Sequence, residues 1–251
     1  MVTRDWNAGS YDSISAPQQE WGAAVTARLV LRGDETVLDA GAGTGRVSEM
    51  VLARLPRGHL IAVDGSESMA KRARERLPAD RVSVICCDLL ELELPERVDA
   101  VISTATFHWI LDHDALFARM RTLLHEGGQF VVQCGGEGNI ARVRDIGRAV
   151  ASEPPYREHL AAMPEIWHYA NVAQTRERLE RAGFEVSACW LADAPTSPPR
   201  PREFLETVIF APHLEHLPAS LHAPFLDAIT AQLGDPAVLD YRRLNWDAVA
   251  R

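Results

Sequence analysis

The chain has 251 residues, of which 47% are hydrophobic and 24% charged, as expected for one globular domain with its own core. The formal net charge of −9 disfavours binding to nucleic acid, which needs basic patches that displace counterions from phosphates. No apolar run approaches the ~20 residues of a membrane span, and the first residues lack the apolar core of a signal peptide. The four cysteines show neither a C-x-x-C pair nor metal-ligand spacing, so we expect buried, reduced thiols, no metal and a cytoplasmic location.

The first half of the chain alternates helices with short apolar strands. A helix is predicted over about 17–31, where Trp21, Val25 and Leu29 recur every four residues. This rhythm predicts right-handed βαβ units and a doubly wound, mostly parallel, Rossmann-like α/β sheet. The predicted strands are 36–40, 59–63, 81–87, 98–103 and 129–134, and the predicted helices that follow them are 45–55, 67–77 and 112–124.

The alternation stops after Gly135 and Gly136. Residues 137–171 contain helical fragments and no clear strand, and a proline-rich connection precedes further helices at about 203–209 and 220–233. Between these regions lie a helix over 174–182 and a strand over 184–191, and the chain ends in a candidate strand over 243–249.

A glycine-rich turn follows the first strand and opens a helix. Its glycines are Gly41, Gly43 and Gly45, and Arg46 occupies the position at which the dinucleotide fingerprint requires a further glycine. Asp39, two residues before the turn, favours a cationic ligand over a pyrophosphate, because it would repel an anion. On the evidence of these residues alone, the alternative is a glycine turn that has a structural role and binds no ligand.

Acidic residues also end the next two strands. Asp64 ends strand two, where a carboxylate can accept both ribose hydroxyls, and Asp88 ends strand three, where it can accept from a purine amino group. Each aspartate alone is typical of a turn or a helix cap. Together with Asp39 they indicate a pocket for an adenosine that carries positive charge at its other end.

These residues resemble the class I S-adenosylmethionine-dependent methyltransferases. The matching motifs are V-L-D-A-G-A-G-T-G at 37–45, A-V-D-G-S-E-S-M at 62–69 and C-D-L at 87–89. The resemblance implies S-adenosyl-L-methionine as cofactor and S-adenosyl-L-homocysteine as product. It implies a cofactor site formed by Tyr11, Gln18, Asp39, Gly41, Ala42, Gly43, Asp64, Gly65, Ser66, Met69, Asp88, Leu89, Thr104 and Ala105.

A narrower resemblance, to the trans-aconitate methyltransferase family and related small-molecule enzymes, rests on D-W-N at 5–7, T-A-T-F-H-W at 104–109 and A-G-F-E-V at 182–186. It implies a single domain over 1–251 with seven strands, the last of them antiparallel. Residues 137–171 and 193–235 would be insertions that cap the active site. Phe210 stands where an arginine is expected before Pro212, which puts a tricarboxylate acceptor in doubt.

The expected activity is in-line methyl transfer to a small molecule, with a carboxylic acid that becomes a methyl ester as the first candidate acceptor. A phenol, amine or carbon acceptor, or cofactor binding without catalysis, is the alternative. We expect no nucleic-acid or membrane partner, and the oligomeric state stays open. His108 is the candidate catalytic base, and the candidate acceptor residues are Tyr11, His108, Trp109 and Phe204; Arg142, Arg144, Arg200 and Arg202 could each bind a substrate carboxylate.

Overall fold

The computed structural model describes residue 6, residues 8–9 and residues 16–251, with backbone only over 16–20. Predictions on Tyr11 and on the side chain of Gln18 therefore lie outside the described residues. No helix among the described residues is both long and apolar enough to cross a membrane.

Seven strands form one sheet in the order β3-β2-β1-β4-β5-β7-β6, in which β7 runs antiparallel to both of its neighbours and the other pairs are parallel. This confirms the predicted mostly parallel sheet with an antiparallel last strand. The strands are β1 Thr36–Ala40, β2 His59–Asp64, β3 Val82–Cys86, β4 Val98–Thr104, β5 Leu124–Gly135, β6 Phe184–Asp193 and β7 Arg242–Ala250.

The helices follow the strands as predicted in the first half of the chain, and several short helices occupy the second half. They are α1 Ala16–Arg28, α2 Arg46–Leu52, α3 Glu67–Arg76, α4 His113–Leu123, α5 Ala141–Ala151, α6 Arg157–Leu160, α7 Val172–Arg181, α8 Pro201–Phe204, α9 Ala211–Leu214 and α10 Ala219–Leu233.

The sheet is buried on both faces because successive side chains of its central strands alternate between two cores. In β1, Val37 belongs to the core that contains α1 and α2, whereas Leu38 belongs to the core that contains α4 and the rings of Phe117 and Trp246. Such strands need apolar residues at nearly every position, which is why they appear as short continuous apolar runs in the sequence.

A third core lies in the second half of the chain. It joins Trp167, from the segment after α6, to Phe204, Phe210 and Phe225 from the segment that follows β6. The two segments that the sequence sets apart, 137–171 and 193–235, therefore pack on each other. We refer to them together as the helical layer.

Two expectations differ from the structure. The predicted helix over 203–209 is α-helical only over Pro201–Phe204 and continues as a π-helix over Leu205–Ile209. It ends at Phe210, and Pro212 then lies in the first turn of α9, where its missing N–H is tolerated. All four cysteines are free, but only Cys134 is fully buried and the other three are half-buried.

Candidate functional site

The glycine turn forms one wall of a cavity at the carboxyl ends of the parallel strands. Gly41, Gly43 and Gly45 all have left-handed backbones, with φ of +85°, +56° and +84°. A Cβ on Gly41 would overlap the side chain of Thr106, whereas a Cβ on Gly43 would meet nothing within 4 Å. Glycine is thus required at 41 by packing and at 43 by conformation alone, and the backbone at 43 borders open space.

The cavity has a volume of about 660 Å³. It is lined by the ends of β1, β2 and β4, by the residues that follow β3, and by residues of the helical layer. The predicted site residues on its wall are Gly41, Ala42, Gly43, Asp64, Gly65, Ser66, Met69, Asp88, Leu89, Thr104, Ala105, His108 and Trp109.

Asp64 is held in place by two backbone amides. Its Oδ2 accepts from Gly43 N at 2.8 Å and its Oδ1 accepts from Ser66 N at 2.9 Å. Ser66 in turn caps α3 through the Met69 amide. An ionised carboxylate has about four lone-pair sites, so Asp64, on the cavity wall, can accept from a ligand hydroxyl as well as from these amides.

Asp88 is fixed by a similar local contact. Its Oδ1 accepts from Leu90 N at 3.0 Å, and the neighbouring Leu89 side chain is buried. The turn after β3 therefore presents a carboxylate and a backbone amide from consecutive residues at the cavity wall.

Asp39 does not line the cavity. It is fully buried under the turn, where its Oδ2 accepts from Ser48 Oγ at 2.7 Å. Burial raises the pKa of this carboxyl to about 7, partly offset by the Ser48 hydrogen bond. Asp39 can therefore act on a ligand only through space or through the turn, and not by direct contact.

Ala105, at the end of β4, has φ of +55°, an unusual conformation for a residue with a Cβ. Its amide donates to Gln133 O on β5 at 2.8 Å, so the strand pairing holds the strained backbone in place. The strained residue lies on the cavity wall. Strain retained at such a place is typical of a functional site.

His108 lies in a short 3₁₀ turn after β4 and is buried. Its Nδ1 accepts from the Gly135 amide at 3.3 Å, which leaves the ring hydrogen on Nε2. Burial lowers the pKa of this imidazole well below its ordinary value, and the positive charge of Arg243 lowers it further. The ring is a neutral hydrogen-bond donor at neutral pH, and its geometry does not favour the general-base role that the sequence predicts.

Aromatic side chains form much of the remaining wall. Trp109 contacts Trp6 edge-on at 5.1 Å and Trp167 at 5.9 Å, and Trp167 stacks on Tyr169 at 5.9 Å. Phe204, a predicted acceptor residue, instead lies inside the core of the helical layer and does not reach the cavity. The position of Trp167 and Tyr169 was not predictable, because no periodicity marks the segment that carries them.

The four arginines predicted as carboxylate ligands do not lie on the wall of this cavity, as far as the described residues define it. Arg142 donates to backbone carbonyls of α10, Arg144 lies over the rings of Trp167 and Tyr169, and Arg200 and Arg202 pair with acidic side chains. The arginines on the wall are Arg46, at the start of α2, and Arg243, in β7.

Sequence comparison places this geometry in a family. A methyltransferase domain model matches residues 37–128. A trans-aconitate 2-methyltransferase of Methylobacterium nodulans is 30% identical over 190 residues, which cover 76% of this chain and 68% of that protein. The chain belongs to the class I S-adenosylmethionine-dependent methyltransferases.

Two further relatives are similar to this methyltransferase. A trans-aconitate 2-methyltransferase of an Acidovorax species is 27% identical over an alignment that covers 92% of this chain and 90% of that protein. A malonyl-[acyl-carrier protein] O-methyltransferase of Geobacter sulfurreducens is 29% identical over an alignment that covers 70% of this chain and 66% of that protein.

Solved structures share the fold. Phosphoethanolamine N-methyltransferase 2 of Haemonchus contortus matches with a TM-score of 0.63 and 20% identity over 97% of this chain, which spans 56% of the length of that protein. The [4+2]-cyclase SpnF matches with a TM-score of 0.59 and 22% identity over 92% of this chain and 81% of its own. At these identities the likeness concerns the fold alone, and the fold does not fix the reaction.

The residues present fit the methyltransferase cofactor, S-adenosyl-L-methionine. The backbone at Gly43 borders the cavity and its amide is fixed by Asp64, so carboxylate and turn are already positioned on one wall. Asp64 and Asp88 supply acceptors for hydroxyl and amino groups, and Met69 supplies an apolar surface at the start of α3.

Proposed function

We propose that this methyltransferase converts the carboxylate of a small organic acid into a methyl ester. The observation that carries the proposal is the state of His108, the histidine that follows β4. Its Nδ1 is engaged with Gly135 N, and its pKa is lowered by burial. The side chain therefore offers a donor to the acceptor, and a carboxylate is the acceptor that needs a donor and no base, since it is already ionised at pH 7.

The cofactor, when bound, supplies an electrophilic methyl group on a sulfonium sulfur. With the cofactor bound, a carboxylate oxygen of the acceptor would form the new bond to the methyl carbon, and the carbon–sulfur bond would break with its electron pair passing to sulfur. No proton is gained or lost in this step. The protein therefore contributes binding, alignment and exclusion of water.

The residue roles in this proposal divide between the two sides of the cavity. The glycine turn with Asp64, Gly65, Ser66, Met69, Asp88, Leu89, Thr104 and Ala105 binds the cofactor, and Asp39 supports the turn from below. His108 donates from Nε2 to the acceptor and Trp109 packs against it. The helical layer, 137–171 and 193–235, acts as a cap that keeps water from the methyl group.

The relatives support an acidic acceptor. Two of the similar enzymes are named for trans-aconitate and one for a malonyl group, and all three names denote carboxylic acids. The helical layer contributes Glu165 and Glu215 to the cavity wall, which weakens the case for trans-aconitate itself, because three carboxylates would face like charges.

A phenol acceptor is the second candidate, and His216 is the observation that favours it. This side chain lies on the cavity wall at the exposed surface of the helical layer, where a proton acceptor would be in reach of solvent. A phenol would need such a base.

The two candidates differ in how methyl transfer depends on pH. At saturating S-adenosylmethionine we expect formation of a methyl ester from an acid with a rate that is flat between about pH 6 and pH 8, measured by mass spectrometry with a deuterated methyl donor. A rate that falls about tenfold for each unit of pH below 7 would contradict the proposal. Loss of activity in His216→Gln, with phenols as the only acceptors, would establish the second candidate.

Cofactor binding without catalysis would give a different result. Calorimetry would then show S-adenosylmethionine binding, and no acid, phenol or amine would be methylated. The proposal on the acceptor would fail in that case, while the assignment of the cofactor site would stand.

A further inference from the structure

Arg243 is a buried cation on the wall of the cavity, at the end that His108 also lines. We call this the acceptor end. Arg243 is in β7, the antiparallel strand inserted between β5 and β6, and its Cα partners are Gly135 and Ala192. Its side chain is only 2% exposed, yet it lines the cavity. The residue is thus placed by the sheet itself, beside the strand end that also supplies the amide to His108.

The surroundings of Arg243 hold the guanidinium between rings. It lies over the ring of Trp21 at 4.5 Å and near that of Tyr241 at 5.8 Å, and both residues line the cavity. Stacked guanidinium groups are rigid and weakly hydrated, which suits them to bind a planar anion in two parallel hydrogen bonds.

Further polar groups at this end of the cavity are donors. Tyr169 stacks on His108 at 5.7 Å, and its hydroxyl bonds to the Asn139 side chain. Burial raises the pKa of this phenol, so it keeps its hydrogen at neutral pH. Arg243, the Nε2 of His108 and the Tyr169 hydroxyl form a set that can donate to an anion and cannot take its proton.

The rest of the acceptor region is apolar or acidic. Trp109 and Trp167 line it with rings, and Ile140 and Ile209 with aliphatic carbons. The charged residues that the helical layer adds to the wall are Glu165 and Glu215, which would repel a second or third carboxylate.

We propose that Arg243 selects the acceptor, and that the acceptor class is a monocarboxylic acid with an apolar or aromatic body. This inference rests on the proposed function and adds to it a specificity-determining residue and a substrate class. The single carboxylate binds Arg243 and its neighbouring donors, while the body lies against the tryptophan rings. A tricarboxylate binds poorly because its further charges meet Glu165 and Glu215. The other arginine of the wall, Arg46, lies beside the glycine turn at the start of α2.

The test measures recognition of charge separately from methyl transfer. The probes are trans-cinnamate and its uncharged analogue cinnamamide, with trans-aconitate as the competing polyacid. Binding to the cofactor-loaded protein is measured by calorimetry. We expect the wild type to bind cinnamate about 10–100-fold more tightly than cinnamamide, the value of a hydrogen-bonded charge pair, and to bind trans-aconitate more weakly than cinnamate.

Arg243→Met should reduce that preference for the acid at least about tenfold while leaving the affinity for S-adenosylmethionine unchanged. Arg243→Lys should retain part of it, because the charge remains and the planar fork is lost. Arg242→Met is the matched control, because Arg242 is the preceding residue of β7, is exposed, and pairs with Asp193 outside the cavity. A melting temperature for each variant establishes that it is folded.

The results separate the two levels of the proposal. If Arg243→Met keeps the wild-type preference for acid over amide, if trans-aconitate binds more tightly than cinnamate, or if cinnamate does not bind in the millimolar range, the inference on Arg243 is overturned. If cinnamate binds through Arg243 but no acid is methylated, the inference stands as a binding site and the proposed ester formation fails.

Discussion

Asp64 uses its two carboxylate oxygens to hold the amides of Gly43 and Ser66, and it does so on the wall of the cavity. Removing the carboxylate loses both the acceptor for the cofactor and the anchor of the turn. We expect Asp64→Ala to weaken S-adenosylmethionine binding by about 1–3 kcal/mol in calorimetry. Asp80→Ala, at an exposed position, is the control, and equal affinities of the two variants would mean that Asp64 has only a structural role.

The buried carboxyl of Asp39 lowers the stability of the fold, which would not be expected of a residue with a purely structural role. Its carboxyl is fully buried, and Oδ1 makes no hydrogen bond among the described residues. Because the pKa is raised to about 7 in the folded state, above the value of an unfolded aspartate, this group stabilises the fold least when it is ionised above about pH 7.

We therefore expect Asp39→Asn to raise the free energy of unfolding by about 1–3 kcal/mol at pH 8, and by much less at pH 5. Urea denaturation at both values measures this. The same variant should bind the positively charged cofactor more weakly, because the charge below the turn is gone. A variant that is neither more stable nor weaker in binding would show that the carboxylate is neutral throughout.

Single residues were predictable from sequence where a motif fixes both identity and place. Asp64 and Asp88 end strands next to the glycine turn, and parallel strands bring their carboxyl ends together. Arg243 was not predictable, since an arginine at the start of a terminal strand has no local feature that directs it to a cavity. His108 was found, but its protonation depends on Gly135 N and on Arg243, which lie far along the chain.

At the level of elements, α1 is fixed to the sheet by one arginine. Arg28, its last residue, donates to the side chain of Asn245 and to the carbonyls of Val132 and Trp246, and it pairs with Asp247. The contacts connect the helix to β5 and β7 at once. An apolar side chain at this position would leave several partly buried acceptors without a donor.

We expect Arg28→Met to lower the free energy of unfolding by about 2–4 kcal/mol in urea denaturation. Arg32→Met is the matched control and should change it by less than about 0.5 kcal/mol, because that side chain is 82% exposed. If both variants unfold at the same urea concentration, α1 is held by its apolar contacts alone.

Elements were predictable where burial forces a simple pattern. The five parallel strands of the first half are short apolar runs bounded by glycine, proline or aspartate. The structure places four of them within one residue of the predicted bounds, whereas β5 begins at Leu124 and not at 129. In the helical layer one core is shared between two distant segments. The helical period of α5, whose buried residues include Val143, Gly147 and Val150, therefore does not reveal which segment covers that face. The π-helix over Leu205–Ile209 belongs to this region.

For the molecule as a whole, two buried titratable groups have opposite effects over the same acidic range. The folded-state pKa of Asp39 is raised to about 7, so the stability that its carboxyl contributes is lost as the pH rises from about 4 to about 7 and does not change above that. His113 has the opposite effect. It is buried in the α4 core, stacked on His168 at 4.1 Å, and burial lowers its pKa to about 4, with a smaller contribution from His168.

The sign for His113 follows from the order of the two pKa values. The unfolded histidine, with a pKa of about 6.5, takes up a proton before the folded one does. The stability that neutral His113 contributes is complete above about pH 6.5, and it is lost as the pH falls from there towards about 4. Buried His108 shifts in the same direction and adds to the loss.

We expect the wild type to lose about 2 kcal/mol of unfolding free energy through His113 between about pH 7.5 and pH 5. His113→Gln, which can still donate to the Phe107 carbonyl, should be less sensitive to acid by about that amount, measured as urea midpoints at the two pH values. His125→Gln, at an exposed position, should keep the wild-type sensitivity. Because Asp39 gains stability over the same range as the pH falls, the acid loss should be larger in Asp39→Asn than in the wild type. Equal losses in the two proteins would contradict the assignment of Asp39.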